Sequence, residues 1–279
     1  MKQRQNHIAV PEASSAAGAA GFDRTRLKWK EVDVVPVGKG ILNISRDLRD
    51  QPNHASGLRK DSGTGIRGIF LGALRLHNYL FVDGFIEREV NCLLGRYYAR
   101  GQAFLEVGCG DMSINRFLPR DAWYNAFDLS LSERNLERLF AARERANVAM
   151  ASAKQIPLDS GAVDCLVSSE CLEHIPGVDE AVREMRRICR TGAKAIITIP
   201  NNFGKKYQVK GPHPEHVNDW TFDGFCELMA ACGFRKLEGY MKGYWLPLPT
   251  ALTRVSYQVS LASVKEANNT NFFFVFEAV

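Results

Sequence analysis

Several acidic and imidazole side chains stand where apolar runs end, and their types and spacing suggest chemistry. Glu106 and Asp111 lie in FLEVGCGD, Asp128 at the end of WYNAFD, and Glu170, Glu173 and His174 closely after VDCLVSS. Gly108 and Gly110 bare the backbone of the first turn, so a ligand can approach it closely. A dinucleotide site asks for a third glycine, G-x-G-x-x-G, but Ser113 stands in that place and Asp111 would repel phosphates. The turn suits a phosphate-free ligand with a cationic centre and a ribose diol. Glu106 and Asp111 bracket the turn, and Asp128, 18 residues after Gly110, stands where a ribose-binding carboxylate belongs.

These residues need a scaffold, and the pattern around them supplies one. Strand candidates are 103–107, 123–128, 147–151, 163–169, 193–200, 234–241 and 271–278; helix candidates are 113–117, 132–146, 178–190 and 222–232, the last with Thr221 as N-cap and Gly233 as stop. Strand and helix alternating at this pitch imply an α/β, doubly wound, mostly parallel seven-stranded Rossmann-like sheet. The last strand, NFFFVFEA, follows a long connection and is expected to insert antiparallel at the sheet edge. Apolar spacing over 66–100, including Phe85, Val90, Leu93 and Leu94, predicts N-terminal helices covering the active site. Residues 1–65 read as a mobile or irregular segment, with an Ala/Ser/Gly-rich stretch from Ala13 to Gly21. The domain with the chemistry is therefore expected over 101–279.

Bulk properties narrow the class. The net charge of +5 resides in residues 1–60, which hold 11 Lys and Arg against 6 Asp and Glu, so the body is neutral and nucleic acid is disfavoured as partner. Seven cysteines, with no C-x-x-C spacing, read as reduced thiols. With neither a secretory pattern nor a spanning apolar run in view, a cytoplasmic location is expected.

Residues 101–240 resemble a class I S-adenosylmethionine-dependent methyltransferase. The resemblance rests on LEVGCG, FDLS, ASAKQIPLDSGAVDCLVSSECLEHI, RRICRTGAKAIITIPN and HPEHVNDWTFDGFCELMAACGF, in that order. It implies S-adenosylmethionine as cofactor, held by Glu106, Gly108, Cys109, Gly110, Asp128, Leu129, Ser152, Ala153 and Glu170. It also implies an antiparallel seventh strand. One departure is Ser152, where the family usually carries an acid toward the adenine amine.

Methyl transfer is an in-line displacement that requires placement of a nucleophile, and a base only where the nucleophile must lose a proton. No D-P-P-Y, N-P-P-Y or Pro-Cys run occurs, which disfavours nucleobase amines and cytosine C5. His174 and His216 are the catalytic candidates; LEHI also reads as plain framework, and His213 as a surface residue. The expected reaction is O-methylation of a small-molecule or glycan-type acceptor. The spacing E-x-x-E-H resembles the metal-binding segment of small-RNA 2′-O-methyltransferases and of ubiquinone-pathway O-methyltransferases. Glu170, Glu173, His174 and His216 would then hold a divalent metal; that reading is not favoured, and no metal ligands are assigned. Metal-assisted RNA 2′-O-methylation, a non-catalytic cofactor-binding scaffold and an NAD-dependent oxidoreductase remain as alternatives. Residues 243–262 are apolar enough for a membrane-surface contact or a homodimer face, or for packing on the core, with a short amphipathic helix after Pro249.

Overall fold

The computed structural model describes residues 23–50, 58–59, 84–246, 257–259 and 265–279. The chain opens with a hairpin, β1 (Val32–Val37) and β2 (Gly40–Ser45), turning at Gly38 with φ 55°. Helix α1 (Gly84–Tyr97) follows, then strands β3 (Phe104–Val107), β4 (Tyr124–Asp128), β5 (Ala146–Met150), β6 (Val163–Ser169) and β7 (Cys189–Pro200). Between them run α2 (Glu133–Ala142) and α3 (Val178–Ile188); after β7 come α4 (Lys205–Lys210) and α5 (Phe222–Ala231). Strands β8 (Phe234–Leu246), β9 (Tyr257–Val259) and β10 (Asn269–Ala278) complete one ten-stranded sheet, in the order β1-β2-β5-β4-β3-β6-β7-β10-β8-β9.

The expected seven strands form the centre of this sheet; the hairpin and β9 extend its two sides. Strands β3 to β7 are parallel, and each is buried on both faces, as helix-covered strands must be. The helices are amphipathic at helical spacing: α3 buries Val178, Ala181, Val182, Met185 and Ile188. Ser132 caps α2 by accepting the Asn135 N–H at 3.3 Å, and Thr221 caps α5 by accepting that of Gly224 at 3.1 Å. Gly233, at φ 88°, ends α5 as anticipated.

Three expectations are corrected. Strand β10 is antiparallel, but it lies inside the sheet, pairing Asn271 with Pro200 on β7 and Phe234 with Ala278 on β8. Its phenylalanines need that position: Phe272, Phe274 and Phe276 enter one core and Phe273 the other, all fully buried. Residues 32–45 are regular strands, and β2 joins β5 in parallel, so 1–65 is not irregular throughout; 1–22 lie outside the described residues. Helix α1 packs on a sheet face through Phe85, Val90, Leu93 and Leu94, in one cluster with Cys109 and Met112 of the glycine turn; the rest of the expected helical region, 66–83, lies outside the description. Ser113–Phe117 is a single 3-10 turn, entered through Met112 at φ 62°, because Pro119 and a tight loop leave no room for a full helix.

The apolar connection at 243–262 is described only in part. Tyr257–Val259 is a strand antiparallel to Tyr244–Leu246, not the expected helix, and 247–256 and 260–264 lie outside the described residues. Among the described residues no helix is long and apolar enough to cross a membrane.

At the amino ends of the strands, residues 23–30 form a strap held by buried amides. Asn125 donates to the Thr25 and Phe104 carbonyls, each at 2.9 Å, and accepts from Leu27 N at 3.0 Å. Asn147 donates to Leu27 O at 2.9 Å and to Asn125 Oδ1 at 2.7 Å, and accepts from Trp29 Nε1 at 3.0 Å. Beside them, buried Asp164 accepts from Ala103 N at 2.7 Å and pairs with Arg24 and Arg190.

Candidate active site at the carboxyl edge

The strand order reverses between β3 and β6, and in a doubly wound sheet that reversal opens a crevice beyond the carboxyl ends. The glycine turn lies there. Gly108 and Cys109 donate their N–H groups to Phe127 O at 3.0 and 3.1 Å, which pins the turn to β4. The two glycines have different reasons to be glycine. A Cβ at Gly108, φ 71°, would stand 2.2 Å from Cys171 Sγ, so the turn is bare because the segment after β6 packs on it. A Cβ at Gly110, φ 46°, would meet nothing within 4 Å, so this face is open to a ligand.

Asp128 is organised by the same turn. Its Oδ2 accepts from Gly110 N at 2.9 Å and its Oδ1 from Ser130 N at 3.0 Å, while the half-buried side chain keeps lone pairs for further donors such as a ribose diol. Leu129, 36% exposed, follows it on the same loop. Ser152 and Ala153 lie half-buried beyond β5; the Ser152 hydroxyl accepts from Lys154 N at 3.2 Å and keeps its own proton to donate. An open acidic cradle with no phosphate nest fits S-adenosylmethionine by the chemistry of its donors.

Three of the residues expected to hold the cofactor have side chains that face into the protein. Glu106 is 3% exposed and lies beneath the turn, where its Oε2 accepts the Tyr124 hydroxyl at 2.5 Å. Burial, together with Asp111 and Asp128 nearby, raises its carboxyl well above the ordinary range against the opposing hydrogen bond, and the Tyr124 phenol is raised likewise by burial. Cys109 is equally buried, its thiol pushed up, and it serves the turn through its backbone. Glu170, at φ 50°, spends both carboxylate oxygens inside the protein, on Thr198 Oγ1 and Asn271 Nδ2, each at 2.9 Å. It is a strut between β6, β7 and β10.

The catalytic candidates do converge. Residues 172–175 and 213–219 are sewn together: Val217 and Asn218 donate their N–H groups to Glu173 O, and the Asn218 amide donates to Leu172 O and Ile175 O. This places the His174 and His216 rings 4.9 Å apart, with His213 stacked on His216 at 4.3 Å. His174 Nδ1 lies 3.0 Å from Glu215 O, and His216 Nδ1 lies 3.0 Å from Asn202 Oδ1. A carbonyl can only accept, so each Nδ1 carries a proton, and in the neutral ring each Nε2 presents a lone pair. The Asn202 amide is itself oriented by donating to Asp219. His216 is held neutral, its pKa lowered to about 4 by burial and by His213 and His174. Glu173, 1% exposed, has its carboxyl raised to about 9 by burial and by Glu170.

Sequence reasoning missed the residues that set these states. Thr198, Asn271, Asn202 and Glu215 come from three later stretches of chain, and no local pattern marks them. Asn202 in IPNN and Glu215 between two histidines were the only visible hints.

Comparison with known proteins agrees with this geometry. A family model described as a methyltransferase domain matches residues 105–197, which span β3 to β7 and the turn. A Mycolicibacterium smegmatis protein named "probable S-adenosylmethionine-dependent methyltransferase" is 24% identical over 135 residues, 48% of this chain and 52% of that protein. The chain thus spans about half the length of the curated relatives it matches. Among solved structures, the methyltransferase from a complex with the Haloferax volcanii Trm112 methyltransferase activator superposes with TM-score 0.54 at 16% identity, over 70% of this chain and 89% of that one. The Burkholderia thailandensis 1,6-didemethyltoxoflavin-N1-methyltransferase, solved with S-adenosylhomocysteine bound, gives TM-score 0.50 at 15% identity over 78% and 93%. Over residues 105–197 the chain is similar to the methyltransferase-domain family, and its curated relatives include a protein named as S-adenosylmethionine-dependent.

Proposed function

We propose that this protein methylates a hydroxyl of a small-molecule or glycan-type acceptor. The observation that carries the reading is the contact of Cys171 with Gly108. It sets the cofactor cradle on β3 directly against the segment bearing His174, so the methyl donor and a base lie at adjacent strand ends. S-adenosylmethionine supplies an electrophilic methyl group on a sulfonium. Asp128 and the Gly110 N–H hold the cofactor end of the crevice, and Asp111 and Asp128 give it the negative field that suits a cation. His174 Nε2, with its lone pair fixed by Glu215, takes the proton of an acceptor hydroxyl, a contribution of about 10²- to 10⁴-fold.

The test separates binding from chemistry. Calorimetry of S-adenosylhomocysteine should show binding to the wild type that weakens about tenfold or more in D128N, because a charge-assisted hydrogen bond to the diol is lost. H174N should bind normally yet lose turnover on a panel of hydroxylated small molecules and glycans. Full turnover by H174N, or turnover confined to amines, would overturn the proposed acceptor chemistry.

A further inference from the structure

We infer that the strap at the amino ends of the strands forms a second binding site, for a phosphate ester carrying a flat ring, a ligand of the nucleoside monophosphate class. A cavity of about 560 Å³ lies there, between residues 23–29, the starts of β4 and β5, and Asn43 of β2. Small-molecule sites typically measure about 300 to 1,000 Å³. The cavity is separate from the cofactor crevice. Trp123 precedes β4 and Asp128 ends it, and five residues of strand put roughly 17 Å between them.

The local sequence makes the site cationic. In RTRLKWK, residues 24–30, Leu27 is buried and Thr25 and Trp29 are half-buried, while Arg24, Arg26, Lys28 and Lys30 are exposed. Arg24 and Lys30 pair with Asp164 and Asp159. Arg26, Lys28 and, from the start of β5, Arg145 line the cavity against one carboxylate, Asp23. That carboxylate accepts from Thr25 Oγ1 at 2.5 Å and from Trp123 Nε1 at 2.9 Å, and lies 3.8 Å from Arg145. The positive excess that remains attracts an anion.

Two further features select a phosphate attached to a ring. The Arg26 guanidinium lies 4.7 Å from the centre of the Trp123 ring. Stacking occupies the face of the guanidinium and leaves its in-plane N–H groups for the bidentate pairing that a phosphate offers. Among the described residues no carboxylate pairs with Arg26. The half-buried indoles of Trp29 and Trp123 supply flat apolar walls, which an inorganic ion would leave bare. Asn43 Nδ2 donates to Val148 O at 2.9 Å, so its Oδ1 is left to accept from a ring amine.

The site does not rest on the methyl-transfer reading, and the experiment keeps the two apart. Adenosine monophosphate is titrated by calorimetry into the full-length protein, with and without saturating S-adenosylhomocysteine. One-site binding should persist in the presence of S-adenosylhomocysteine and in D128N. Affinity should fall about tenfold or more in R26Q and in R145Q, and inorganic phosphate and adenosine should each bind about tenfold more weakly than the ester. Both variants change exposed side chains, so their urea midpoints should match the wild type. No binding overturns the site, as does binding that R26Q and R145Q leave unchanged. Binding abolished by S-adenosylhomocysteine or by D128N also overturns it, because the nucleotide would then occupy the crevice. Equal affinity for inorganic phosphate, or binding of single-stranded RNA but not of the monophosphate, overturns the ligand class.

Discussion

The two ends of the sheet bury polar side chains in opposite ways. At the amino end every amide group of Asn125 and Asn147 is matched, by the strap, by Phe104 or by each other. At the carboxyl end the polar atoms are crowded or left short: Glu106 and Glu173 are raised by burial and by neighbouring acids, and the Oε2 of Glu173 has no partner. Polar groups that serve stability are satisfied within the chain. The other end leaves part of that work to ligands, and strain at such a place costs stability in exchange for chemistry.

This contrast can be broken most forcefully at the amino end. N125A strands Leu27 N–H, an Asn147 N–H and two carbonyls, so urea unfolding should show a loss of about 3 kcal/mol. The folded fraction should bind S-adenosylhomocysteine as the wild type does; a stability loss under about 1 kcal/mol would deny the strap its role.

At the other end G110A should cost only about 1 kcal/mol of stability, the price of a side chain at φ 46°. Its methyl group points into the open face, so calorimetry should show cofactor affinity falling more than stability does. Equal affinity would mean that the ligand does not approach Gly110.

The smallest effect is expected from E106Q, which should change stability at neutral pH by less than about 1 kcal/mol. A carboxyl raised in the folded protein binds protons that the unfolded chain has already released, so its stabilisation is complete below pH 4.5 and declines as pH rises toward the folded value. Urea midpoints of the wild type should therefore fall with pH above 4.5 more steeply than those of E106Q. Parallel profiles would show that Glu106 is ionised in the fold.

Much of the scaffold was legible because it is local. Apolar runs such as VDCLVSS and AKAIITIP, punctuated by Thr221 and Gly233, mark strand and helix within a few residues of where they occur. The hairpin at 32–45 was missed because its short apolar pieces lie in polar, turn-rich sequence; Pro36 fits it because an outermost strand accepts proline where a central one does not. Its turn residues, Gly38 and Gly40, were visible but unread. In the site, Asp128 and His174 were legible as polar residues following apolar runs, and His216 only through the resemblance carried by HPEHVNDW. Glu106 and Glu170 carry the same signature, yet their carboxylates face inward to Tyr124, Thr198 and Asn271. That choice depends on partners 18 to 101 residues away, which spacing cannot express.

The placement of β10 has a consequence for how the chain is made. Synthesis delivers β8 more than twenty residues before β10, yet β8 reaches β7 only through it. Until 269–278 leave the ribosome, the outer side of β7 has no neighbour and β8 has nothing to join it to the parallel strands. Both are exposed pairing edges of the kind that recruit other chains. The nascent protein must therefore pass through a stage in which the cofactor turn can already form while its sheet stands open, and the phenylalanine-rich strand closes it last.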